Sequence, residues 1–230
     1  MEQQERMHDD QGGAMDTSEA DRRSRDPRRI RTHEAIVRAG LELFAENIPE
    51  GVSIDELVRA AGVSKQSFYN HFSDRDDLAR HILQLTRTEI DASVQEAYRD
   101  VADPALRVAV GICVYVRHAL DHPQQAWIGV RLSSQAVAAE SEFNPMLAED
   151  VRTGLAKGRL ACFTPETGIA FVVGVSVALL WRVLLDGGEG AALVVTPQFV
   201  TMLLRGFGLP PIEAETIASQ AVERILRSRR

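Results

Sequence analysis

The sequence is poor in lysine and cysteine, and both shortages limit what the protein can be. Lys65 and Lys157 are the only lysines among 230 residues, so basic character depends on arginine. Cys113 and Cys162 lie far apart, and neither belongs to a Cys-x-x-Cys pair or a Cys/His spacing, which argues against a disulfide framework and a zinc site. We expect two buried thiols, with a redox-sensing thiol as the alternative.

Targeting segments and residues for catalysis are also scarce. The N-terminus lacks the apolar segment of a signal peptide, so we expect a cytoplasmic protein. Residues 168–185 just reach the length of a membrane span, but Arg182 interrupts them, so we expect a buried helix and no membrane partner. The sequence has no phosphate-binding glycine loop and no distinguishable Ser/His/Asp set or carboxylate pair, which predicts a protein that is not an enzyme and needs no cofactor.

His118 and His122 are spaced as a possible metal pair on one helix. The alternative is that two histidines near a helix C-terminus interact favourably with the helix dipole. Because the sequence offers no third ligand beside them, we predict no metal site.

The composition fits a globular protein with a charged tail. Hydrophobic residues make up 45% of the chain, enough for a sizeable core, and the net charge of -7 argues against a protein that coats nucleic acid indiscriminately. Residues 1–25 are polar, which predicts a disordered tail. Residues 22–31 hold six arginines beside one aspartate; this run could follow a DNA groove or remain a solvated tail.

A tight turn between two short helices is predicted around Gly62. Ser53 and Glu56 have the spacing of a capping box, which starts a helix. That helix should end near Ala61, because Gly62 offers the positive φ that closes a helix in a reversal.

The second helix should present a polar face outward. Ser64 is its candidate N-cap, and Phe68 and Phe72 fall on one face of a helix of about seven residues. This is a helix-turn-helix pattern, although a generic helical hairpin has the same spacing. The outer face would carry Lys65, Gln66, Ser67, Tyr69 and Asn70.

These outer residues have the chemistry for reading DNA. Lys65 can reach guanine or a phosphate, and Gln66 and Asn70 carry the paired donor and acceptor that match adenine. Ser67 is short enough to let the backbone approach, and Tyr69 suits a phosphate oxygen.

Residues 31–83 resemble the DNA-binding domain of the TetR (tetracycline-repressor) family. The similarity rests on a leading helix with an A-x-x-L-F end, then AGVS, then a Tyr-x-His-Phe ending followed by a basic residue and Leu. Asn47-Ile48, Val58 and Phe68 depart from the family pattern. Asparagine tolerates the left-handed conformation, whereas Val58 and Phe68 enlarge the helix crossing. The resemblance implies DNA contacts by Ser53, Ser64, Lys65, Gln66, Ser67, Tyr69, Asn70, His71 and Arg75.

The sequence as a whole predicts an all-α protein with two domains. Residues 26–73 would form a three-helix DNA-binding domain, and residues 74–230 a helical ligand-binding and dimerisation domain. Proline and capping signals predict further helices over about 74–99, 104–122, 124–140, 145–155, 168–185, from 197 onward, and 213–227.

Bulky residues of the second domain are candidates for a small-molecule cavity between helices. The alternative is plain core, since aromatic residues at helical spacing serve packing more often. Trp127 and Arg131, four residues apart, are close enough for a cation-π stack. The candidates are Tyr115, Trp127, Arg131, Phe143, Met146 and Phe171.

The resemblance implies a transcriptional regulator that acts as a repressor. It implies a homodimer formed through the helices around 165–187 and 197–207, bound to a near-palindromic DNA operator and released by a small-molecule effector. The acidic net charge suggests an alternative, a ligand-binding sensor of the same fold that does not use DNA. An enzyme built on the second domain ranks third.

Overall fold

The computed structural model describes residues 27–132 and 145–228, and every regular element in these ranges is helical. The all-α fold class predicted from the sequence is therefore confirmed. The predicted tail, half of the arginine run and Phe143 lie outside the described residues.

Four helices form the N-terminal part of the chain, which we call the head. They are α1 (Pro27–Glu46), α2 (Ile54–Ala61), α3 (Lys65–Tyr69) and α4 (Arg75–Ala97), with a short 3-10 turn at Pro49–Gly51. Gly40 lets α1 approach α4, because a Cβ there would lie 2.9 Å from both Ile82 Cδ1 and Leu78 Cδ2. The 23 residues of α4 span about 35 Å at the usual helical rise, so α4 extends from the head into the rest of the molecule.

The remaining helices form the body. They are α5 (Pro104–Asp121), α6 (Pro123–Arg131), α7 (Pro145–Ala156), α8 (Pro165–Asp186), α9 (Glu189–Gly206) and α10 (Pro211–Val222), followed by a π-helical turn at Glu223–Arg227. The central helix is α5, which packs against all the other body helices and against α4. Its residues are buried on nearly every side, as predicted for an interior helix.

Head and body have separate hydrophobic cores that meet at α6. The head core gathers side chains such as Phe44, Leu57 and Phe68 from α1 to α3. It also includes Ile128 and Leu132 from α6 and the residue after it, with 1% and 6% of their surfaces exposed. The head is therefore attached to the body twice, covalently through α4 and by packing through α6.

One face of α8 is apolar and uncovered. Length and composition alone would let α8 cross a membrane, and only 28% of its most apolar window is buried. The buried helix expected from the sequence is therefore not buried within one chain. Exposed residues recur along it at spacings of three and four, so they form one stripe. We call this the α8 stripe; its residues are Phe171, Gly174, Ala178, Trp181 and Leu185.

The predicted start of α9 was wrong. We placed it at Thr196-Pro197, but α9 begins at Glu189 and contains Pro197 in its interior. A proline there removes one backbone hydrogen bond. The helix continues through it because Val200 and Leu203, on the far side, are completely buried in the body core, and tertiary packing outweighs local propensity.

The predicted cap of α4 was displaced by one residue. The spacing of Ser73 and Asp76 in the sequence predicts Ser73 as the cap, whereas Asp74 is the N-cap and its carboxylate accepts a hydrogen bond from the Asp77 amide at 2.7 Å. Asp77 in turn accepts from the Ser73 amide at 2.9 Å, and this bond lowers its pKa. The helix predicted over 124–140 is described as far as Arg131, and its later part lies outside the described residues.

Candidate nucleic-acid interface

The turn of the helix-turn-helix is held by the contacts that the sequence predicted. Ser53 Oγ accepts from the Glu56 amide at 3.2 Å, and Glu56 Oε2 accepts from the Ser53 amide at 2.8 Å, which completes the capping box. The hydrogen bonds from Ser53 lower the pKa of the Glu56 carboxyl. Gly62 closes α2 at φ 65°, and the Val63 amide donates to the Val58 carbonyl at 3.0 Å.

Helix α3 is anchored from beneath by aromatic rings. Ser64 is its N-cap and accepts from the Ser67 amide at 3.1 Å. Phe68 is fully buried, and Phe72 has 4% of its surface exposed, with ring centroids 5.9 Å apart. With five residues, α3 is shorter than the seven expected, and Asn70 is its C-cap.

The outer face of α3 is exposed and its polar groups hold one another. Lys65 Nζ lies 2.8 Å from Asp55 Oδ1 on α2, and this hydrogen bond raises the pKa of Lys65. Gln66 Nε2 donates to Asn70 Oδ1 at 3.3 Å, which spans one turn. Tyr69 has 53% of its surface exposed. These groups are thus exposed to solvent, and Lys65, Gln66 and Asn70 each have a partner within the protein.

Three other residues predicted to contact DNA have partners in the protein. The Ser53 hydroxyl is engaged by Glu56 Oε2 at 2.7 Å. Arg75 Nη1 donates to the Val52 carbonyl at 3.4 Å, and its Nε lies 3.6 Å from Asp76 Oδ1. His71 is half-buried beside His33, with ring centroids 5.7 Å apart, so it lies further inside than an outer-face residue.

Sequence reasoning missed a histidine cluster at the base of α3. The rings of His33 and His81 lie 5.3 and 5.4 Å from the Phe72 ring, and His71 completes the group. Burial lowers the pKa of His33, and so do the neighbouring His81 and His71. The only signal in the sequence is that His33 and His81 fall on the inner faces of α1 and α4. In residues 27–132 and 145–228, no group of three His, Cys, Asp or Glu side chains is arranged to hold a metal ion.

Of the described residues predicted to line a ligand cavity, Phe171 alone lines the groove between α8 and α9. This groove is apolar and has a volume of about 410 Å³. Tyr115 and Met146 pack against the body core elsewhere, and burial raises the pKa of Tyr115. The groove is lined by Ala170, Phe171, Gly174, Val175, Ala178, Phe199, Met202 and Leu203.

The predicted stack of Trp127 and Arg131 is confirmed, but Arg131 has a further role. Its guanidinium lies 5.0 Å from the centroid of the Trp127 ring. Its Nη1 also donates to the Phe44 carbonyl at 3.1 Å and to the Ala45 carbonyl, both in the last turn of α1. The i, i+4 spacing revealed the stack, whereas no local pattern reveals a partner 86 residues away.

A buried ion pair in the body was also missed. Asp150 has 2% of its surface exposed, and its Oδ1 lies 2.7 Å from Arg107 Nε. The Arg107 guanidinium lies 4.3 Å from the centroid of the Tyr98 ring. Burial raises the pKa of Asp150 to about 6, although Arg107 opposes the shift. The signal was available, because Asp150 interrupts the apolar positions Leu147 and Val151 on one face of α7.

Two sequence profiles match the chain. One, described as bacterial regulatory proteins of the tetR family, matches residues 36–82; the other, described as a tetracyclin repressor-like C-terminal domain, matches residues 103–220. Together they cover head and body and more than half of the chain. The chain belongs to the TetR family. It is therefore a transcriptional regulator of the helix-turn-helix type, with a DNA-binding head and the C-terminal domain of its family.

Individual relatives of this TetR-family chain are similar over limited stretches. The transcriptional regulator AcuR of Cereibacter sphaeroides is 32% identical over 68 residues, covering 30% of this chain and 31% of AcuR. The repressor DhaR of Mycobacterium sp. strain GP1 is 28% identical over 78 residues, covering 34% and 38%. The chain thus spans less than half the length of these curated relatives.

Solved structures extend the likeness of fold over most of the chain. RolR in complex with its ligand resorcinol covers 84% of this chain and 95% of its own, with a TM-score of 0.62 at 23% identity. A gamma-butyrolactone receptor covers 88% and 100%, with a TM-score of 0.63 at 16% identity. A tetR-family regulator from Shewanella sp. PV-4 has a TM-score of 0.67 at 18% identity.

Proposed function

We propose that the protein is a repressor that binds a near-palindromic operator as a homodimer in the cytoplasm and is released by a small organic effector. The observation that carries this proposal is the outer face of α3. It presents Lys65, Gln66, Tyr69 and Asn70 to solvent while Phe68 and Phe72 fix the helix from below.

Each recognition helix would enter a major groove, with half-site centres about one helical turn, roughly 34 to 36 Å, apart. Base contacts by Lys65, Gln66 or Asn70 would each contribute about 1 to 3 kcal/mol of discrimination. Tyr69, Ser53, Ser64, Ser67, His71 and Arg75 would set the register on the phosphates.

The α8 stripe supports the homodimer. A helix of this composition with most of its apolar face uncovered requires a partner, and the same helix of a second copy, with α9, has the matching chemistry. Small residues at positions 174 and 178 permit close backbone approach. We propose that the groove beside Phe171 is filled by the partner subunit and that α8 does not span a membrane.

The effector would bind between the body helices near Tyr115, Trp127, Arg131, Phe143 and Met146. That a protein of similar fold binds resorcinol supports a small organic effector in this one. The effector can favour release only by binding more tightly to a dimer whose heads are wrongly spaced for the operator.

The test replaces Lys65 and Tyr69 together by alanine. This variant should lose binding to a duplex selected by the wild-type protein from a random library, while light scattering still gives a dimer. Lys157→Ala, which removes the only other lysine, is the matched control and should bind normally. Unchanged affinity of the double variant would contradict the proposed interface, and a wild-type protein that selects no duplex would favour the ligand sensor that does not use DNA.

A further inference from the structure

The two tryptophans of the chain are in contact with each other. Trp127 on α6 and Trp181 on α8 have ring centroids 5.1 Å apart at an interplanar angle of 85°, an edge-to-face arrangement. Such pairs are favourable because the positive edge of one ring meets the negative face of the other. The contact joins α6 to α8 at one defined point.

Arg131 continues this contact toward the head. It lies one helical turn after Trp127, stacks on that ring, and donates to the carbonyls of Phe44 and Ala45. These carbonyls belong to the last turn of α1, where backbone acceptors have no partner within the helix. The last turn of α1 carries no basic residue of its own. Arg131 therefore supplies, from α6, the cation that a helix C-terminus favours.

At the end away from the head, this series of contacts reaches the surface at Trp181. Trp181 has 45% of its surface exposed and belongs to the α8 stripe. One part of its ring touches Trp127, and the rest faces whatever covers the stripe. A change in how that stripe is covered would act directly on the position of Trp127.

We propose that Trp181, Trp127 and Arg131 are positioning residues that set the orientation of the head according to the packing of the subunit interface. We call them the Trp-Arg relay. The proposal rests on the homodimer and operator proposed above. A head attached only through α4 could swing about that helix, whereas a second attachment through α6 fixes an angle. In a dimer, that angle determines which spacing of half-sites both heads can reach.

The relay gives Trp127 and Arg131 a role other than that of lining an effector cavity, and the two roles differ in ligand-free protein. A cavity residue affects the response to the effector and leaves operator binding intact. A relay residue affects operator binding without any effector present. The relevant measurements therefore use ligand-free protein only.

The experiment compares Arg131→Gln and Trp181→Phe with wild type on three kinds of duplex. These are the selected operator, the same operator with one or two base pairs added or removed at its centre, and a single half-site. Arg182→Gln is the matched control, since Arg182 neighbours Trp181 but pairs with Asp186 of its own helix at 2.8 Å.

Arg131→Gln should weaken binding to the selected operator about tenfold, bind the half-site as wild type does, and lose most of the preference for the original spacing. Trp181→Phe should change in the same direction by a smaller factor, and Arg182→Gln should not change. Fluorescence gives a second readout, because all tryptophan emission comes from the relay. Operator addition should alter the wild-type emission, and Arg131→Gln should lose this response.

An unchanged spacing preference in both relay variants would overturn the relay while leaving the proposed function standing. So would equal losses on half-site and full operator, which indicate a general weakening of the head. If Arg131→Gln does not fold, the test rests on Trp181→Phe alone. Because Trp181 is partly exposed, this substitution should disturb folding less. A wild-type protein that selects no duplex would overturn the proposed function itself.

Discussion

Several charged side chains in this protein pair with partners on other helices. Arg159 bridges Asp103 at the start of α5 and Glu213 on α10, with N to O distances of 2.9 and 2.8 Å. Lys65 pairs with Asp55 at the surface, where such a bridge contributes little to stability. The pair of Arg107 and Asp150 differs from both because the carboxylate is buried, and its ionisation opposes folding.

Asp150→Asn should change how stability depends on pH. The folded pKa of Asp150, about 6, lies above that of an unfolded aspartate, so the folded state binds the extra proton between roughly pH 4 and 6. The contribution of Asp150 to the free energy of unfolding is therefore greatest below pH 4. It falls by up to about 3 kcal/mol as the pH rises through 6.

The measurement is the free energy of unfolding of wild type and Asp150→Asn by urea at pH 4, 5, 6 and 7. Wild type minus variant should fall as the pH rises. A difference independent of pH would show that Asp150 keeps an ordinary pKa when folded.

Helix ends were predictable from the sequence where a local signal decides them. The capping box of Ser53, the turn at Gly62 and the N-cap at Thr164, which accepts from the Thr167 amide, all follow from neighbouring residues. The internal Pro197 was misread because burial of later residues overrides the local signal. The contact from Arg131 to α1 could not be predicted, since sequence spacing carries no information about which helices meet.

Gly62→Ala tests the turn between α2 and α3. An added Cβ meets no atom within 4 Å, so the cost should arise only from φ 65°, about 1 to 2 kcal/mol. Gly129→Ala in α6 is the control, because it adds the same methyl group in open space within a regular helix. It should stabilise by up to about 1 kcal/mol.

Thermal unfolding of both variants against wild type provides the comparison. A lower melting temperature for Gly62→Ala together with an equal or higher one for Gly129→Ala is expected. Equal effects of the two substitutions would mean that the turn does not depend on the left-handed conformation.

At the scale of the whole molecule, the exposed apolar surface is concentrated on α8 and α9. Met202 has 70% of its surface exposed and lines the groove beside the α8 stripe, and Val194 on the same helix has 60% exposed. The resemblance of the head to a known family was readable from about fifty residues. The identity of the effector was not, because the aromatic residues chosen for a cavity are divided between core, groove and the contact with the head.

Met202→Glu should convert the proposed dimer into monomers. A carboxylate placed in an apolar interface costs several kcal/mol when unpaired, enough to weaken dimerisation about a hundredfold or more. Operator affinity should fall with it, since two heads no longer bind together. Light scattering across a concentration series measures the change.

Ile212→Glu serves as the control because Ile212 is 80% exposed on α10 and does not line the groove. It should leave the dimer intact. A Met202→Glu variant that remains dimeric at low concentration would place the interface elsewhere.

The bonds from Arg131 end on main-chain oxygens, which every amino acid possesses. The contact of Arg131 with α1 therefore does not depend on the side chains at positions 44 and 45. It requires only that α1 end at the same place. A foreign head grafted onto this body would need to match the length of its first helix, not the residues at its end.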